Sequence, residues 1–77
     1  MTPLIYLLDA LDARTYVSII DNTANEFVTK TRMPLYDFLA NHGLVAKYRA
    51  YDVQDVDISK VDSTPTVYIR IAKGFGG

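Results

Sequence analysis

The residues best able to do chemistry in this sequence are four carboxylates close together: Asp52, Asp55, Asp57 and Asp62. Carboxylates at such spacing can hold Ca²⁺, work as an acid and base pair, or imitate the phosphates of a nucleic acid. The calcium reading lacks the glycine and the closing glutamate of an EF-hand loop. The acid–base reading lacks a neighbouring nucleophile, oxyanion donor or Gly-rich loop. What remains is a surface that mimics phosphate, or a solvated charged bend that keeps a strand edge from pairing. Ser18, Ser59 and Ser63 stand in no nucleophile motif. The single histidine, His42, precedes Gly43 where a helix is expected to end, and there it complements the helix dipole. With no cysteine and one histidine, thiol chemistry, disulfide staples, Cys-based zinc sites and any site needing two imidazoles are excluded. The residues point away from an enzyme, and no cofactor or metal is expected.

The cations offer a second constellation, and its meaning depends on the elements that carry it. Thr2-Pro3 opens a helix over 3–11 with a stripe of Leu4, Leu7, Leu8 and Leu11. Thr15 to Asp21 reads as a strand, Asn22 to Asn25 as a turn, and Glu26 to Arg32 as the returning strand of a hairpin. Pro34 starts a second short helix with Leu35, Phe38 and Leu39 on one stripe, ended by Asn41-His42-Gly43 with Gly43 at C′. Leu44 to Ser59 reads as extended, with a change of phase near Tyr51 to Asp55 that predicts a bulge or bend. After a turn at Val61 to Pro65, Thr66 to Ala72 alternates cleanly, with Val67, Ile69 and Ile71 on one face.

These elements predict an α+β domain over 1–72 in the order αββαββ, and a flexible Gly-rich tail over 73–77. The expected architecture has two layers, a four-stranded antiparallel sheet with two short helices on one face. Its other face is left open. Strand parity then sends Lys30, Arg32, Lys47, Arg49 and Arg70 to the open face, beside Tyr16, Tyr51 and Tyr68. That would gather five of the eight cations of a chain with net charge −1. Such a face suits a protein partner, since Tyr and Arg are enriched at interfaces. As an alternative it suits single-stranded nucleic acid or a nucleotide, with cations on phosphate and rings on bases, or it is an ordinary solvated sheet surface. At 77 residues with no staple the core is small, and a homodimer through a sheet edge could complete it. No run is apolar enough to span a membrane, and no signal peptide is recognisable, so the expected location is cytoplasmic.

Two resemblances bear on function. Gly76-Gly77 resembles the end of ubiquitin and the sulfur carriers, β-grasp proteins of similar length. It implies a modifier or carrier whose tail enters an activating enzyme. The stretch Leu4-Ile5-Tyr6-Leu7-Leu8-Asp9-Ala10-Leu11-Asp12, with Thr15-Tyr16-Val17-Ser18-Ile19-Ile20-Asp21-Asn22-Thr23 behind it, resembles small uncharacterised proteins of phages and mobile elements of Gram-positive bacteria. That resemblance covers residues 3–72 and rests on core and turn residues. The longer acidic third strand departs from it. It implies a phage accessory protein that binds and inhibits a host factor, possible targets including components of bacterial immunity, and it supplies no catalytic residues.

Overall fold

A computed structural model describes residues 2–61 and 63–74. Its elements are α1 (Leu4–Ala10), β1 (Tyr16–Asp21), β2 (Glu26–Phe27), β3 (Met33–Pro34), α2 (Leu35–Ala40), α3 (His42–Tyr48), β4 (Asp52–Val61) and β5 (Thr64–Ala72). The fold is α+β, with a five-stranded mixed sheet and three short helices.

The two most β-branched runs, β1 and β5, lie side by side and parallel, from Tyr16 opposite Thr66 to Asp21 opposite Ile71. A parallel pair needs a long crossover, and the chain between Asp21 and Thr64 supplies it through the helices and the antiparallel strand β4. The sheet order is β2-β1-β5-β4, with β3 also on β1, so the sheet is not wholly antiparallel as the sequence suggests. Val17, Ile19, Val67, Ile69 and Ile71 share one face and are buried against Leu4 and Leu8 of α1, Leu35 and Phe38 of α2, and Tyr48 of α3. No helix among the described residues is long and apolar enough to cross a membrane.

Three local departures from the sequence reading have physical causes. First, the returning strand breaks. Ile20 stands opposite Phe27 but Val17 opposite Met33, so three residues of β1 match six of the partner and three are looped out. The hairpin register that precedes the break also reverses the expected parity: Phe27, opposite Ile20, is 65% exposed on the far face, and Val28 follows Ile19 into the core. The gap in the ladder is closed locally. The Val28 N–H donates to the Ile19 carbonyl at 2.9 Å, and the Ile19 N–H donates to Thr29 Oγ1 at 3.1 Å.

Second, residues expected as strand from Leu44 onward form α3. The Asn41 side chain accepts from the Leu44 N–H at 3.1 Å, an N-cap contact. Leu44, Val45 and Tyr48 then fall on one helical stripe against the core. Asn41 therefore separates two helices, and Gly43 is not a C′ residue. His42 is exposed at the start of α3 rather than at a helix C-terminus.

Third, β2 and β3 flank β1 as two short pieces, which raises the strand number to five. The bulge does fall where the alternation changes phase, between Val53 and Asp55. The chain start is tied to this point: the Val53 N–H donates to the Thr2 carbonyl at 2.8 Å, and the Leu4 N–H to the Tyr51 carbonyl at 2.8 Å.

Candidate binding face

The helices cover one face of the sheet, and strand register defines what the other carries. Three rows cross it. Phe27, Ile20, Arg70 and Asp55 form the first, Ser18, Tyr68 and Asp57 the second, and Pro34, Tyr16, Thr66 and Ser59 the third. A hollow of about 270 Å³ lies between the first two rows, bounded by Ser18, Ile20, Asp55, Asp57, Tyr68 and Arg70. A larger one, about 410 Å³, lies at the start of β1 and β5 beside Tyr16 and Pro65. Among the described residues no group of His, Asp and Glu gathers as a metal site.

The expected basic cluster is divided by the fold. Tyr68 and Arg70 reach the open face as β5 parity predicts. Arg32 lies over Tyr16, its guanidinium 5.7 Å from the ring centre, a cation–π arrangement. Lys30 is exposed within the looped-out segment. Lys47 and Arg49, however, belong to α3 and the turn after it, because that segment is helical. Lys47 Nζ stands 5.1 Å from the Tyr48 ring centre. A side-chain hydrogen bond to Tyr48, supported by Coulombic attraction, holds the Lys47 ammonium above the ordinary lysine range. Tyr51 is half-buried and meets Tyr48 edge-on at 4.9 Å, so it packs the core instead of offering a platform.

The acidic cluster is likewise redistributed. Asp55 and Asp57 lie on β4 facing Arg70 and Tyr68, which places carboxylates on the face where the sequence suggests cations alone. Asp52 is turned to the chain start, where its Oδ1 accepts from the Thr2 N–H at 3.0 Å. Asp62 and the tail residues 75–77 lie outside the described residues.

Two further groups on this face matter. Phe27 is its most exposed ring, and the sequence signal for it is weak, since its face depends on the register of the Asn22 to Asn25 turn, which sets Phe27 opposite Ile20. Thr66 is fully buried, and its hydroxyl has no hydrogen-bond partner. The ion pair found among the described residues, Arg14 with Asp12 at 3.4 Å, lines the larger hollow beside Tyr16. There the Arg14 backbone N–H, then its side chain, hold the Asp12 carboxyl below the usual aspartate range.

Chemically, the open face offers rings, guanidinium groups and carboxylates, with Ser18 in the same row as Asp57. No protein-family model matches the chain, and neither a curated protein nor a solved structure shows a significant match to it.

Proposed function

We propose that this chain is a small non-enzymatic accessory protein of phage type that binds a host protein in the host cytoplasm and inhibits it, one possible target being a component of bacterial immunity. The observation that carries this reading is the uncovered sheet face with Phe27, Tyr16, Tyr68, Arg32 and Arg70. Aromatic and Arg side chains are those most enriched at protein interfaces. The origin and the inhibitory role rest on the resemblance over residues 3–72, and fold alone assigns no function. Nucleic acid is the poorer fit. Asp55 and Asp57 stand opposite Arg70 and Tyr68, and Lys47 and Arg49 lie elsewhere, so the excess positive charge that phosphate binding needs is missing.

Capture from nuclease-treated lysate of a Gram-positive host tests this, comparing the native chain with a Phe27→Asp, Arg70→Glu variant. A discrete host protein retained by the native chain and lost with the variant is the expected result. Equal retention by both overturns the assignment of the face. Binding of labelled single-stranded oligonucleotides that weakens with salt and with Arg70→Ala replaces it with the nucleic-acid reading.

A second reading has one observation in its favour. β1 and β5 are parallel neighbours, with β2 hairpinned on one flank and β4 antiparallel on the other, as in a β-grasp sheet. A modifier or carrier would depend on Gly76 and Gly77, so their deletion must abolish activity, and an unaffected deletion variant ends that reading.

A further inference from the structure

One edge of the sheet is the long strand β4, and its hydrogen-bonding phase can be worked out from one residue. Lys60 stands opposite Pro65. A pair containing proline cannot exchange both N–H···O bonds, so this is a non-hydrogen-bonded pair. Antiparallel pairs alternate, so Ile58 opposite Val67 and Val56 opposite Ile69 are non-hydrogen-bonded as well. The N–H and C=O groups of Val56, Ile58 and Lys60 therefore point away from β5, along the outer edge. Among the described residues, no strand pairs with that edge beyond the chain start at Asp52 and Val53. The side chains of these same residues are also uncovered: Val56 is 42% and Ile58 69% exposed. An unpaired edge with exposed apolar side chains on one face is a template for another strand, and the charges of Asp55, Asp57 and Lys60 restrict which strand and register it accepts.

We infer that the occupant is a second copy of this chain, paired antiparallel along β4 about a two-fold axis at Ile58. This rests on the edge, not on the reading of the open face. The sequence of the edge selects the register. With Ile58 opposite the partner's Ile58, Val56 meets the partner's Lys60, and every outward-facing backbone group of these residues finds its complement. Asp57 then faces the partner's Ser59, whose hydroxyl can donate to the carboxylate. Shifting the register so that Val56 faces the partner's Ile58 sets Asp57 directly against the partner's Asp57, and like charges directly opposite are destabilising. Centring on Val56 or Lys60 leaves the other edge residues unmatched, and setting Ile58 against the partner's Lys60 leaves Val56 without a complement among the three. The Ile58 register joins two sheets into one continuous sheet with the two open faces side by side.

Because the chain has no cysteine, Ile58→Cys reports this register directly. In a hydrogen-bonded antiparallel pair the Cα atoms are about 5.5 Å apart, within the roughly 4.4–6.8 Å that a disulfide spans. The expected result is a disulfide dimer under mild oxidation, with far slower cross-linking for Val56→Cys alone. A mixture of Val56→Cys and Lys60→Cys chains should form the mixed dimer. Ile58→Pro removes only an outward N–H, so it should give a folded monomer by light scattering and circular dichroism. Cross-linking of Val56→Cys as fast as Ile58→Cys overturns the register. A native chain that stays monomeric at millimolar concentration overturns the dimer.

Discussion

The break between β2 and β3 makes the sheet depend on a single hydroxyl. Thr29 is 1% exposed, and its Oγ1 accepts the Ile19 N–H at 3.1 Å where a continuous strand would have supplied a carbonyl. Thr29→Val keeps the shape and removes that acceptor, leaving a buried donor unpaired. Such a group costs about 1–3 kcal/mol. Thr29→Ser keeps the acceptor and removes one methyl, a loss of about 0.8 kcal/mol. In a domain of this size each kcal/mol moves Tm by about 4–8 °C. Thermal and urea unfolding followed by circular dichroism should therefore rank native above Ser above Val. Amide hydrogen exchange adds a local readout: Ile19 stays protected with Ser and exchanges faster with Val. A Val variant as stable as the Ser variant, with Ile19 still protected, would refute the claim that the Thr29 hydroxyl completes the β1 ladder.

Three other outcomes follow from the same contacts. Thr66→Val replaces a fully buried, unpartnered hydroxyl with a methyl and should raise stability by about 1 kcal/mol in urea unfolding. Asn41→Ala deletes the side-chain acceptor for the Leu44 N–H and should cost about 0.5–2 kcal/mol, with the loss of helical signal confined to α3 by NMR chemical shifts. The Asp12 carboxyl, held low chiefly by the Arg14 backbone N–H, should titrate below the ordinary aspartate range by NMR. Its small, exposed contribution is present above the unfolded pKa and lost as pH falls through the folded one. Because the backbone N–H survives substitution, Arg14→Ala should return its midpoint only part of the way.

Much of the architecture is legible in the residues because it is local. The alternation of Val67, Ile69 and Ile71, the β-branched run of β1, and the leucine stripe of α1 all have the right period for their elements. The phase change before Asp55 marks a real bulge. The rest was hidden for physical reasons. Ala46, Tyr48 and Ala50 alternate like a strand, while Leu44, Val45 and Tyr48 repeat like a helix. In so short a window the Asn41 cap decides the outcome. Period-two alternation is the same in parallel and antiparallel strands, so the β1–β5 pairing leaves no mark in the sequence. The three-residue excess between Phe27 and Met33 is visible only once β1 is set beside it. The turn register that sets Phe27 opposite Ile20 is why Phe27 joins the open face, while the cap at Asn41 is why Lys47 and Arg49 leave it.

The central claim is that the uncovered sheet face carries the partner contact, and site-specific photo-cross-linking tests it most directly. A photoreactive phenylalanine analogue at Phe27 sits on that face, and the same analogue at Tyr36, exposed on α2, sits on the helical side. In host cells the account predicts a discrete protein adduct from position 27 and none from position 36. Adducts of the same protein from position 36 alone, or nuclease-sensitive adducts from position 27, would contradict it.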